Sequence, residues 1–160
     1  MSAPLNLPER KAFPDQETPS ILGVLEQMST LHKAQLSLCN RLEDLADNLP
    51  DRFNSQTALI IARQIGPTIK QAHQFEEKTL FTLLPADEER TKQSLERLKF
   101  EHWEDEASAE DLADALISYA RDAKPELAGK LAYMLRGFFD NLRRHIAFES
   151  EHILPLIAQN

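Results

Sequence analysis

Cysteine is nearly missing from this chain: Cys39 is the single one in 160 residues, so no internal disulfide can form and a reducing, cytoplasmic setting is the expectation. Glycine is also scarce, at four residues, and no long alternating β-branched run occurs, which points away from strands and toward an all-α fold. Positive charge is in deficit. With 18 basic against 26 acidic residues the formal charge is −8, which argues against a nucleic-acid phosphate backbone or an anionic membrane surface as partner. No apolar run approaches the roughly 18 residues of a membrane span, and the N-terminal residues lack the apolar core of a secretory signal.

What the chain does contain is a repeated histidine–glutamate pair. His73 is followed by Glu77 and then by Leu80, Phe81, Leu83 and Leu84; His145 is followed by Glu149 and then by Ile153, Leu154 and Leu156. Positions i and i+4 of a helix lie one above the other, so an imidazole and a carboxylate at that spacing can reach one point. His32 stands 41 residues before His73, and His102 stands 43 before His145. Both H-x-x-x-E pairs are 72 residues apart. That period is too long for a solenoid repeat and fits a doubled helical hairpin, hence a four-helix bundle. The length is that of one domain with a real core.

In chain order, residues 1–18 read as an N-terminal arm, with Pro4, Pro8 and Pro14, and residues 19–158 read as the bundle. Thr18 is the expected N-cap of the first helix, with Pro19 at its first position. That helix carries Leu25, Met28, His32, Leu36, Cys39, Leu42 and Leu49 on one stripe. A second helix is expected from Asn54 or Ser55 to about Leu84, kinked or broken at Gly66-Pro67. Asp87 is a suitable cap for the third, which aligns Leu95, Leu98, His102, Ala109, Leu112 and Leu116, with Glu101, Glu104, Asp105, Glu110 and Asp111 on its other faces. Beyond Lys124-Pro125 the fourth aligns Leu127, Leu131, Met134, Phe138, Leu142, His145, Glu149 and Leu156. Counting a rise of about 1.5 Å per residue from each turn puts all four histidines at one level, to within about one helical turn.

A single histidine on an apolar stripe is ordinarily a hydrogen-bonded core residue, and one H-x-x-x-E is ordinarily a surface pair. Four imidazoles and two carboxylates at one depth are different. Each buried charge left without a counter-charge costs several kcal/mol, so the combination points to a metal site made of His32, His73, Glu77, His102, His145 and Glu149. Six ligands exceed the needs of tetrahedral zinc. They suit two divalent ions about 3.5–4 Å apart, each holding two histidines, with Glu77 and Glu149 bridging. Iron fits that donor set best and manganese less well, while zinc can fill such a cage in a purified sample. Glu106 reads as an exposed acid, with an auxiliary or water-mediated ligand as the alternative. Cys39 reads as an inert buried thiol rather than a redox partner. His152, in E-x-x-H spacing with Glu149, aligns with Leu80 in the repeat and is left out of the ligand set. Phe75, Phe100, Trp103, Phe138 and Phe148 are expected to pack around the site and restrict access.

A histidine, then H-x-x-x-E, then a histidine, then H-x-x-x-E on successive helices resembles the hemerythrin-like, HHE cation-binding domain. The resemblance spans about residues 19–158 and includes Leu80-Phe81 and Ile153-Leu154-Pro155. It implies an up-down-up-down bundle holding a non-haem di-iron centre with an oxo or hydroxo bridge, and it carries the ligand roles to His32, His73, Glu77, His102, His145 and Glu149. The chain departs from the oxygen-carrying hemerythrins: Glu106 stands where they have a second histidine on the third helix, and Glu149 stands four rather than five residues after His145. In this it is more similar to the iron-sensing ubiquitin-ligase subunit and to bacterial proteins that repair iron–sulfur centres, without the cysteine-bearing extension of the latter. The expectation is a small cytoplasmic di-iron protein, monomer or homodimer, that binds or senses O2, NO or iron. The alternatives are a di-iron peroxidase, oxidase or NO-handling enzyme, and a metal-indifferent structural bundle.

Overall fold

The computed structural model describes residues 20–85 and 89–159. These form helices α1 (Ile21–Asp47), α2 (Ser55–Phe75), α3 (Glu89–Arg121) and α4 (Ala128–Phe148), followed by the short α5 (Leu154–Ala158). Among the described residues there is no strand. α1 packs on α2 and α4, and α3 closes the ring by packing on α2 and α4. This is the four-helix bundle that the doubled hairpin predicts. The expected arm, the Thr18 cap and the Asp87 cap lie outside the described residues.

Local chemistry explains the boundaries. α1 begins at Ser20, whose Oγ accepts the Gly23 N–H at 3.1 Å. α2 begins at Asn54, whose Oδ1 accepts the Thr57 N–H at 2.9 Å, as the sequence suggests. Of the kink or break expected at Gly66-Pro67, the break does not occur: α2 runs through Pro67. Proline there deprives the carbonyl four residues earlier, at Arg63, of its bond, but Arg63 and Pro67 both face solvent, so water can serve that carbonyl.

Both α2 and α4 end in an unusual way. α2 passes into a π-helical turn at Glu76–Leu80, closed by the Phe81 N–H on the Glu76 carbonyl. α4 passes into one at Glu149–Ile153, closed by the Leu154 N–H on the Glu149 carbonyl. Bonds spanning five residues rather than four are rare and collect at functional sites. Here each wide turn keeps its first and last residues on the inward face: Glu76 with Leu80, and Glu149 with Ile153, are all buried.

The core comes in two apolar halves. One includes Leu42, Ile61, Ile65, Leu112, Leu116 and Leu135. The other includes Met28, Ala72, Leu80, Leu98, Ile153 and Ile157. Along every long helix these halves are separated by buried polar residues: His32 and Gln35 on α1, His73 with Glu76 at the end of α2, His102 and Asp105 on α3, and His145 with Glu149 at the end of α4. Leu36, Leu127 and Leu156, assigned to the stripes from spacing, are exposed at their edges.

Candidate metal centre

The polar layer is built from side chains that point at a common space rather than at one another. His102 Nε2 lies 2.8 Å from Glu76 Oε2, and His145 Nε2 lies 3.3 Å from Glu149 Oε1, yet none of these four atoms makes a hydrogen bond. His73 Nε2 is likewise buried without a partner. Two overlapping groups have mutually close donor atoms, all within 4.8 Å: His73, His102 and His145; and Glu76, His102, His145 and Glu149. His32 joins through Glu149, with Nε2 and Oε2 3.0 Å apart in a hydrogen bond. Buried donor atoms left without hydrogen bonds in such number are costly unless a cation satisfies them, and imidazole with carboxylate is a donor set that iron accepts. The residues present therefore fit a metal.

Ring packing fixes the histidines. His73 and His102 stack with centroids 3.9 Å apart and planes 10° off parallel, and Phe81 stacks on His102 at 5.8 Å. His145 tilts across the pair, 5.2 Å from His102 and 6.0 Å from His73.

Electrostatics divide the five titrating members of the His/Glu cluster into two kinds; burial pushes the His102 imidazole down, but its contacts with Glu76 and Glu77 outweigh this and raise it. Burial drives the His73 imidazole down to about 3, with the His102 and His145 charges adding to the effect, so it is neutral at any ordinary pH. Burial also pushes His145 down, but its contact with Glu149 and that carboxylate's charge outweigh the loss of solvent and lift it to about 9. Burial raises the Glu149 carboxyl too; contacts with His145 and His32 override this and hold it far below the ordinary carboxylate range. Glu76 goes the other way. Burial raises it, His102 offsets only part of that, and the neighbouring Glu149 charge adds to the rise.

Of the six residues chosen from sequence, His73, His102, His145 and Glu149 converge, and His32 is bonded to that group. Glu77 stands elsewhere. Its side chain is 38% exposed, and it reaches the outer nitrogen of His102, with Oε1 2.7 Å from Nδ1. The buried acid from this turn is Glu76, at 0% exposure. Three and four residues after a histidine lie on either side of its direction along a helix, so spacing alone cannot choose between them. A signal was present: Phe75-Glu76 and Phe148-Glu149 are the same dipeptide, each followed four residues later by a buried aliphatic, Leu80 or Ile153. In that register Leu80 matches Ile153 rather than His152, and His152 is exposed beside Phe148.

Further expectations change in detail. Glu106, read as an exposed acid, is half-buried and lies with Oε1 3.2 Å from His73 Nδ1. Asp105 is buried rather than solvated, held by Asn141 Nδ2 donating to Oδ1 at 2.8 Å, and burial raises its carboxyl. Gln35 is buried one turn from His32 with neither amide atom hydrogen-bonded. Phe100 and Trp103 do not shield the site: they lie 57% and 67% exposed on the outside of α3. Phe148 is also exposed, whereas Phe138 is buried. Cys39 is buried, donates to the Phe139 carbonyl at 3.7 Å and is raised to about 11 by burial, as suits an inert thiol. A groove of about 810 Å³ between α3 and α4, bordered by Arg97, Glu101, Asp105, Arg144 and Phe148, reaches His145 from outside.

The family model of the hemerythrin HHE cation binding domain matches residues 23–157. The chain belongs to this family. The match covers the four long helices except the first two residues of α1, and it includes every residue of the polar layer, so the HHE domain and the buried donor cluster are one object. No curated protein and no solved structure matches the chain. Among its described residues no helix is long and apolar enough to cross a membrane.

Proposed function

We propose that this HHE domain holds a pair of iron ions and uses them to bind or sense O2, NO or iron itself. The observation that carries the reading is the set of buried Nε2 and carboxylate atoms lying 2.8–3.3 Å apart without hydrogen-bonding each other. His32, His73, His102, His145 and Glu149 are the proposed ligands together with one acid from the Glu76–Glu77 pair, and burial and proximity support Glu76 for that place. Reduced iron in such a site supplies open coordination positions and electrons to a small diatomic ligand. The protein's own part is to hold neutral and anionic donors in register and to exclude bulk water with Leu80, Phe81, Leu98 and Ile153. The proposed setting is cytoplasmic, as monomer or homodimer.

Anaerobic loading with ferrous iron tests this. Two irons per chain, with near-ultraviolet absorption appearing on oxidation, are expected; fewer than one iron per chain overturns the reading. The groove that reaches His145 favours a second reading, a di-iron peroxidase, oxidase or NO-handling enzyme, because it offers a small substrate a path. Multiple turnovers with peroxide or NO select the enzyme, and a stable stoichiometric adduct selects binding or sensing.

A further inference from the structure

Phe100 and Trp103 stand three residues apart on α3, so they share the face of the helix that is turned away from the core. Their rings lie 6.0 Å apart, and Ala107, one turn further on, is exposed beside them. Single apolar side chains are ordinary on a surface, but adjoining aromatic rings are what the centres of protein interfaces are made of. Charge is divided along the same face. Before the aromatic pair α3 exposes Lys92, Arg97 and Lys99, with Glu89 and Glu96 among them. After it come the exposed acids Glu104, Glu110, Asp111 and Asp114, and from Phe100 to Ala120 there is no lysine or arginine. Arg97 meets Glu101 at 2.9 Å and Glu110 meets Lys70 at 3.1 Å, pairs open to solvent that hold their members weakly. Lys92, Glu104 and Asp111 make no ion pair among the described residues.

We propose that this face is where two copies of the chain dimerise, α3 packing antiparallel on α3 about a two-fold axis midway between Phe100 and Trp103. A two-fold contact must complement itself. Each chain carries a formal charge of −8, so copies repel unless their contact matches locally. Reversing one helix about that midpoint lays Phe100 of each copy on Trp103 of the other. It also brings Arg97 level with Glu104 of the second copy, and Lys92 level with Glu110, each to within about 3 Å along the axis at a rise of about 1.5 Å per residue. Glu96 falls opposite the uncharged Ala107. Glu89 and Asp114 do oppose each other as like charges, but at the far ends, where helices crossing at an angle have separated. Parallel packing would set Glu104 against Glu104 and is disfavoured. A uniformly basic partner would suit the acidic half and be repelled by Lys92, Arg97 and Lys99. The second copy alone carries both signs in the order that fits.

Sedimentation equilibrium of the full chain, with tryptophan emission recorded beside it, tests the interface. Trp103 is the single tryptophan, so its emission reports this face directly. The wild type should pass from monomer to dimer as concentration rises, and the emission should shift to the blue over the same range. Trp103→Ala should weaken association by about 30-fold or more, as the loss of a central aromatic does. Arg97→Glu and Glu104→Arg replace exposed side chains and decide the register. Each variant alone should dimerise about 10-fold more weakly than wild type, because it sets like charges together twice. Mixed in equal amounts they should form a heterodimer near wild-type strength, since the exchanged charges then meet with opposite sign. Helicity by circular dichroism shows that each variant is folded, and the charge exchange alone decides the matter if Trp103→Ala loses helicity. A wild-type chain still monomeric at about 1 mM, where only contacts weaker than about −4 kcal/mol escape detection, overturns the proposal. So does a dimer that leaves Trp103 emission unchanged, or one whose charge variants fail to restore each other. Iron loading bears on the metal and chain mass on this interface, so either reading can fail without the other.

Discussion

The turn that follows α2 and the turn that follows α4 start from the same pattern and end with different chemistry. Each widens into a π-helical turn directly after a Phe-Glu dipeptide, and each buries that glutamate. After α4, the acid stands four residues past His145 and takes contacts from His145 and His32, which keep it ionised. After α2, the buried acid stands three residues past His73, contacts the His102 imidazole with Glu149 beside it, and is pushed by burial toward its protonated form. The fourth residue, Glu77, is turned outward, where α4 has its inward ligand candidate. Two carboxyls in one site are thus driven apart in acidity: burial and the Glu149 charge raise Glu76, while burial of Glu149 is overridden by His145 and His32. H-x-x-x-E specifies a reachable distance and not a direction; helix rotation assigns the role.

This contrast can be broken first at its charged member. Glu149→Ala leaves His145 and His32 without their buried counter-charge, and losses of about 3–5 kcal/mol are typical for breaking such a pair. Urea unfolding of the metal-free protein at pH 7 should register a loss of that order. The same contact makes stability pH-dependent. His145 titrates at about 9 in the fold against an ordinary 6.5, so its stabilising charge is fully present below pH 6.5 and is lost as pH rises through about 9. The metal-free wild type should therefore weaken by an amount on the order of 1–3 kcal/mol between pH 6.5 and 9.5. In Glu149→Ala that alkaline decline should largely vanish.

Glu76 sharpens the comparison with the opposite sign. Its carboxyl is buried without a hydrogen bond, so replacing it by an apolar side chain in Glu76→Leu should raise the metal-free stability by about 1–2 kcal/mol while lowering metal uptake. A thermal melt of metal-free protein beside metal analysis checks both halves. The smallest effect belongs to Glu77→Ala, where a half-exposed pair is lost; the metal-free melt should move by less than about 1 kcal/mol equivalent.

Much of this could be read from residues alone because it depends on periodicity. Apolar spacings of three and four gave the four helices, Asn54 gave the start of α2, and equal distances from the turns put His32, His73, His102 and His145 at one level. What escaped depends on how each helix is rotated about its axis. Glu76 and Glu77 lie on either side of the His73 direction, and either could turn inward. Asp105 looked like a wet-face residue, and Phe100 and Trp103 looked like core, because each sits near the border of a stripe where a few tens of degrees exchange burial for exposure.

The sequence by itself determined a histidine-bearing helical bundle with its polar residues gathered at one depth, since hydrophobic period and loop position are properties of the chain. Only the tertiary structure decided which acids close on the interior and which hold the histidines from outside. The packing of α2 against α3 sets the stacking of His73 on His102, and the widened turns after Phe75 and Phe148 set the inward acids. Both are outcomes of contacts between helices, which no single stretch of sequence contains.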